Sequence, residues 1–158
     1  MKDKFNLIGT KIPEFSLPNS RGETVSISDL EGKKFVLIVL FRGIQWPYCR
    51  WHAGHLGKDY DKFEEKDVYL YPILVDNIEN AKKLEKKYAR NKYPIFYDES
   101  KKVVKMLNQQ IKVTKLGRMP GMLIVDKQGI IQYAYYGDSM KDIPENTVVF
   151  DVIERINK

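Results

Sequence analysis

The residue with the most chemistry to offer is a cysteine, Cys49, in the segment Phe41-Arg42-Gly43-Ile44-Gln45-Trp46-Pro47-Tyr48-Cys49-Arg50. A thiol becomes a nucleophile and a redox centre once it loses its proton. It is the only cysteine of the chain, so dithiol chemistry within one molecule is excluded. Three residues further on stands His52, and three beyond that His55, the only two histidines. With Cys49 they offer too few ligands for a metal site, and they read as surface or partly packed side chains. His52, one helical turn from Cys49, is placed to stabilise a thiolate. A second reading of the same stretch is structural. Cys49, Ala53, Leu56, Tyr60 and Phe63 follow the spacing of one apolar helix stripe, where a cysteine serves as a small buried hydrophobe with a raised pKa. Trp46 likewise either shields the thiol or packs the start of the helix.

Local elements must place this thiol. The run Phe35-Val36-Leu37-Ile38-Val39-Leu40-Phe41 is unbroken, rich in β-branched residues and too short for a buried helix, so it reads as a buried strand. Pro47 and the amphipathic pattern after it predict a helix from 47 to about 66. Cys49 then falls in the first turn of a helix at the carboxyl end of a strand, where the positive helix end favours the thiolate. Upstream, Glu14–Leu17 and Thr24–Ile27 alternate around a Gly-containing connection and read as a hairpin. Residues 28–32 form a turn or a single helical turn. Val68–Val75 is the next strand, and Asp76-Asn77 can cap a helix through Arg90. Pro94–Tyr97 is a short strand and Ser100–Leu107 a short helix. Met122–Val125 and Ile130–Tyr136 form a second hairpin around Gly129. The tyrosines Tyr133, Tyr135 and Tyr136 belong to a strand facing both core and solvent. Asp142, Pro144 and Glu145 predict the start of a last helix that runs to Ile156. Hairpins at both ends with strand–helix crossovers between them make an α/β fold, a mixed sheet covered on both faces. Such sheets put their sites at the carboxyl ends of parallel strands.

Composition bounds the rest. The chain of 158 residues is 43% hydrophobic and 30% charged, which is the balance of a globular protein and fits a single domain over 1–158. The net charge of +6 comes from lysines interleaved with acids, as in Lys82-Lys83-Leu84-Glu85-Lys86-Lys87. That is the pattern of solvated helix faces and not of a basic stripe, so nucleic acid is not an expected partner. No apolar run approaches the roughly 18 residues of a membrane span, and the start of the chain has no secretory pattern. With one cysteine, a cytoplasmic address is expected.

Taken together, these segments resemble the thioredoxin superfamily, in the redoxin branch of peroxiredoxins, alkyl hydroperoxide reductases and thiol-specific antioxidant proteins. Gly9-Thr10-Lys11-Ile12-Pro13-Glu14-Phe15-Ser16-Leu17-Pro18, with Gly22, Val25, Leu30 and Gly32, resembles the N-terminal extension of that family. Phe41-Arg42-Gly43 with Pro47-Tyr48-Cys49-Arg50 is similar to the active-site segment of redoxins carrying Trp-Cys-Pro-Tyr-Cys. Met119-Pro120-Gly121-Met122 resembles the segment in which thioredoxin-like proteins place a cis-proline, here Pro120. The resemblance implies a thioredoxin-like fold and a thiol-dependent peroxidase or thiol–disulfide oxidoreductase. Its substrate would be a hydroperoxide or a disulfide, and no cofactor or metal is implied. Cys49 would be the redox residue, turned over by an external thiol from a thioredoxin-like protein or a small molecule. Arg42, Arg50 or Arg118 would supply cationic donors, with Trp46, Pro47, Pro120 and His52 around them. A homodimer is left open, as is a member that keeps the fold and acts only as a binding or interaction module. The departures are equally specific. Cys49 matches the second cysteine of the thioredoxin-type pair, and Trp46 stands at the first. Peroxiredoxins carry proline seven before, and threonine or serine three before, their peroxide-attacking cysteine; counting back from Cys49 gives Arg42 and Trp46. The arginine they place six before the aspartate of the late hairpin is Pro120 here.

Overall fold

A computed structural model describes residues 3–112, 114 and 117–157; Met1, Lys2 and Lys158 of the expected 1–158 domain lie outside the described residues. The expected first hairpin pairs β1 (Ser16–Pro18) with β2 (Thr24–Ser26), with Leu17 opposite Val25. The single helical turn α1 (Ile27–Leu30) follows, its Asp29 carboxylate accepting the Ser26 N–H. The buried strand is β3 (Phe35–Leu40). It takes the centre of a five-stranded sheet ordered β5-β4-β3-β8-β9. On one side it runs parallel to β4 (Val68–Leu74), which is parallel to β5 (Phe96–Tyr97). On the other it runs antiparallel to β8 (Gly121–Val125), which pairs with β9 (Ile131–Tyr136) across the Asp126–Gly129 turn. A short ladder absent from the expected elements, β6 (Ile111–Lys112) with β7 (Gly117–Arg118), stands apart.

The uninterrupted apolar character of β3 follows from burial on both faces. Side chains alternate across a strand, so Phe35, Leu37 and Val39 join one core, followed by Phe41 just past the strand end. Val36, Ile38 and Leu40 join the other, with Phe15, Leu17, Val104 and Leu107. The first core is roofed by α2 (Pro47–Lys58), α3 (Tyr60–Glu65), α4 (Ile78–Lys87, capped by Asn77) and α6 (Asn146–Ile156). The second is covered by the N-terminal segment and α5 (Lys102–Met106). Tyr136 is buried, while Tyr133 and Tyr135 are half-buried and stack at 6.3 Å.

Three local expectations are corrected by the structure. The helix expected over 47–66 breaks at Asp59, because the Asn146 amide donates to the His55 carbonyl at 3.0 Å and to the Asp59 carboxylate at 2.9 Å. The Asp59 N–H turns to Gly57 O. The last helix starts at Asn146 and not near Asp142. The Asp142 carboxylate is engaged by the Tyr135 hydroxyl at 2.5 Å and the Asp138 N–H at 2.7 Å, which keeps it out of a cap. Among the described residues no peptide bond is cis, Met119–Pro120 included. An extended trans path there lets Met119 N–H reach Gln110 O and Pro120 O accept Gly137 N–H, both at 2.9 Å. Gly137 permits that approach: a Cβ at this position would lie 2.5 Å from Asp142 O and 2.9 Å from the Pro120 ring.

Candidate active site

Phe41, Arg42 and Gly43 leave the carboxyl end of β3 and turn into α2. Pro47 occupies the first helical position, where its missing N–H costs no hydrogen bond. Trp46 is the N-cap residue, its N–H donating to Gly43 O and its carbonyl accepting Arg50 N–H, both at 3.2 Å. Cys49 therefore sits in the first turn, as its spacing predicts. The backbone N–H groups of Gly43 and Arg42 and the guanidinium charges of Arg42 and Arg50 act on the thiol to lower its pKa.

These donors do not govern the resting thiol. Cys49 is 3% exposed and packs with Phe41, Ala53 and Leu56 in the first core. Burial pushes its pKa up to about 11, and the amides and arginines offset only part of that rise. The lowering expected from the helix end is thus outweighed by loss of water, which penalises the charged form. Cys49 thus lies both in the first turn of the helix after β3 and on the apolar stripe.

The remaining candidate residues divide clearly. Arg42 is 5% exposed; its Nε donates to the Arg118 carbonyl at 2.6 Å and its guanidinium carbon lies 4.2 Å from the centre of the Trp46 ring. Burial shifts its pKa down, opposed by Cys49. Arg118 thus enters the site through its backbone, while its own guanidinium, also shifted down by burial, feels Asp98. Arg50 is half-buried, donating to Ile44 O at 2.6 Å and lying 5.2 Å over Tyr88. His52 differs from its expected surface position. It is 4% exposed, edge-on to Phe41 at 5.8 Å, and burial lowers its pKa to about 3. A neutral imidazole supplies no charge to a thiolate, so the expected support from His52 is withdrawn. Pro120 opens β8 beside the Arg118 carbonyl, as a trans residue.

One contributor carries no sequence signal. The Gln109 amide, buried after α5, donates to both Phe41 O at 2.9 Å and Met119 O at 3.1 Å. It fastens the end of β3 to the Met119-Pro120 link between β7 and β8. On the outer side of α2, Pro47, Tyr48, Trp51, Lys141, Ile143 and Glu145 line a groove of about 430 Å³. Trp51 stacks there on His55 at 4.5 Å.

A mixed five-stranded sheet with a thiol at the β3–α2 turn defines a redoxin of thioredoxin-like fold. The chain belongs to the AhpC/TSA family, whose model matches residues 8–134. Among curated proteins it is similar to the chloroplastic peroxiredoxin Q of Triticum aestivum, 30% identical over 129 residues that cover 80% of this chain and 58% of the wheat protein. It is also similar to the thiol-disulfide oxidoreductase ResA of Bacillus cereus, 26% identical over 85% of this chain and 73% of that one. The chain spans 58% of the length of the wheat and rice relatives it matches. Among solved structures it shares its fold with peroxidoxin BcpB of Mycobacterium tuberculosis (TM-score 0.82, 17% identity, 96% of this chain and 98% of that one). The AhpC of Enterococcus faecalis is similar to the same degree (TM-score 0.83, 17% identity, 97% and 94%). Among the described residues no helix is long and apolar enough to cross a membrane.

Proposed function

We propose that this chain is a thiol-dependent peroxidase that reduces hydroperoxides through Cys49 alone. The observation that carries this reading is the place of Cys49 in the first turn of α2, at the carboxyl end of β3 in the family's fold, where two backbone amides and two guanidinium charges favour the thiolate. In the reaction the thiolate attacks the terminal peroxide oxygen and the O–O bond breaks. The sulfur leaves as a sulfenic acid, and the departing alkoxide takes a proton to become an alcohol or water. The backbone amides of Arg42 and Gly43, with Arg42, stabilise the charge that develops on oxygen. No second cysteine exists in the chain, so an external thiol condenses with the sulfenic acid and releases water. A second equivalent of that thiol then releases Cys49 and leaves as a disulfide.

The burial of Cys49 adds a requirement. A sulfur with 3% exposure meets peroxide only when the first turn of α2 opens. Opening also restores water around the sulfur and so relieves the burial that opposes the thiolate. The reductant is a small thiol or a thioredoxin-like protein, and the compartment a reducing one such as the cytoplasm. A homodimer over a single domain of residues 1–158 completes this reading.

Burial itself favours a second reading, in which the fold is kept as a binding or interaction module and the thiol is inert. One experiment separates the two. Reduced protein is treated with a small excess of hydrogen peroxide or cumene hydroperoxide, and its mass is followed with a sulfenic-acid trap. Trapping at Cys49, with thiol-coupled peroxide consumption abolished in Cys49→Ser, supports the peroxidase. A thiol that stays unmodified leaves the binding module.

A further inference from the structure

Arg42 and Trp46 are the two positions at which this chain departs from the peroxiredoxin pattern around Cys49, and in the folded protein their side chains touch. The guanidinium carbon of Arg42 lies 4.2 Å from the centre of the Trp46 ring. An arginine removed from water gains most from an aromatic face, because its delocalised plane stacks on the ring while losing little hydration. Its Nε is tied to the Arg118 carbonyl, so the side chain is held at one end by β7 and on its face by the indole. The backbone N–H of the same residue closes the turn beneath on Gly43 O, and the Gly43 amide is one of the groups that favour the thiolate.

We propose that Trp46 is a positioning residue that holds the Arg42 charge against Cys49, so that thiolate stability depends on the indole. This deepens the reading of Cys49 as the reacting thiol and rests on it. Among the other groups that act on the sulfur, Arg50 also favours the thiolate, but it is held by different partners. Arg50 is turned to Ile44 O and the Tyr88 ring. The Tyr93 phenol, packed in the same core, is held protonated by burial and donates to Ala53 O. His52, on the helix of Cys49, is neutral. Arg42 is therefore the cation whose place is set by a side chain within the active-site turn, and Trp46 is that side chain.

The test measures alkylation of Cys49 by iodoacetamide in the folded protein, followed by intact mass from pH 7 to 9.5. The variants are Arg42→Met, Arg42→Lys, Trp46→Leu and Trp46→Phe. Removing a stabilising cation raises a thiol pKa by about one unit, which slows alkylation on the acidic side of the profile about tenfold. Arg42→Met and Trp46→Leu are expected to show that slowing, with the profile displaced to higher pH. Arg42→Lys, which keeps the charge, and Trp46→Phe, which keeps an aromatic face, are expected to stay within about threefold of the parent. Loss of packing alone has the opposite sign, since a loosened turn exposes the thiol and speeds alkylation. An unchanged or faster rate in Trp46→Leu overturns the proposal, as does equal slowing in Leu and Phe. Should Arg42→Met fail to fold, the two Trp46 variants still decide. No peroxide enters this measurement, so an inert Cys49 in the peroxide assay would remove the peroxidase reading and leave the Trp46 result standing on its own.

Discussion

The buried thiol makes stability fall with pH in a way that can be worked out and measured. Cys49 has an ordinary pKa of 9.0 in the unfolded chain and about 11 in the folded one, because burial opposes the thiolate. Between those values the folded state keeps a proton that the unfolded state has lost. Stability therefore falls as pH rises, beginning near pH 9 and levelling near pH 11. Each unit of difference is worth about 1.4 kcal/mol, so the full loss is about 3 kcal/mol, with about 1 kcal/mol of it between pH 8 and 10. The tyrosines contribute in the same direction at higher pH: burial raises Tyr60 to about 12 and lifts Tyr71 and Tyr136 further. A Cys49→Ala variant removes the cysteine contribution and leaves theirs. Urea unfolding of both proteins at pH 7, 8, 9 and 10 isolates it as the difference between two curves. That difference should be flat from pH 7 to 8, where both states are protonated, and then drop for the parent relative to the variant. Its constant part, from the small packing loss, is irrelevant. A flat difference through pH 10 would refute the reasoning and place the sulfur in a watered environment.

Three further predictions follow from the packing around the site. Asn146→Ala should cost about 1–3 kcal/mol by denaturant unfolding, since it removes both amide hydrogen bonds that end α2 and leaves a helix carbonyl unmet. Gln109→Leu should cost a similar ~1–3 kcal/mol, because the carbonyls of Phe41 and Met119 lose their shared donor in a buried place; hydrogen exchange of the β3–α2 turn should quicken with it. Gly57→Ala should lower the melting temperature although alanine is the better helix former, because its Cβ would stand 2.9 Å from the Ala89 carbonyl oxygen. A rise in melting temperature would show that the 88–91 segment gives way freely.

Much of the architecture was legible because it is written in neighbours a few residues apart. The apolar run before Arg42 announces β3, and Pro47 announces the helix that follows. Asn77 caps α4 as its type suggests, accepting Asn80 N–H at 3.0 Å. The Asp126–Gly129 turn closes the second hairpin. The expectations that failed did so where another part of the fold competed for a local group, near in sequence for Asp142 and far for Asp59. Asp142 is a plausible cap on local grounds, but its carboxylate is engaged by Tyr135 and Asp138. The helix pattern over 47–66 is continuous in sequence, and it is interrupted by an asparagine 87 residues from Asp59.

For the site, sequence by itself determined which residue could react and which turn would hold it, since both depend on the order of strand, proline and cysteine. It could not determine how that residue behaves. Whether the helix end or the loss of water governs Cys49 depends on how fully Phe41, Ala53 and Leu56 enclose the sulfur, which is a property of packing. The same packing makes His52 a neutral core histidine and aligns the Arg42 guanidinium with the Trp46 ring. Solvent access and electrostatic surroundings are set jointly by segments far apart in the chain, and only the tertiary structure brings those segments together.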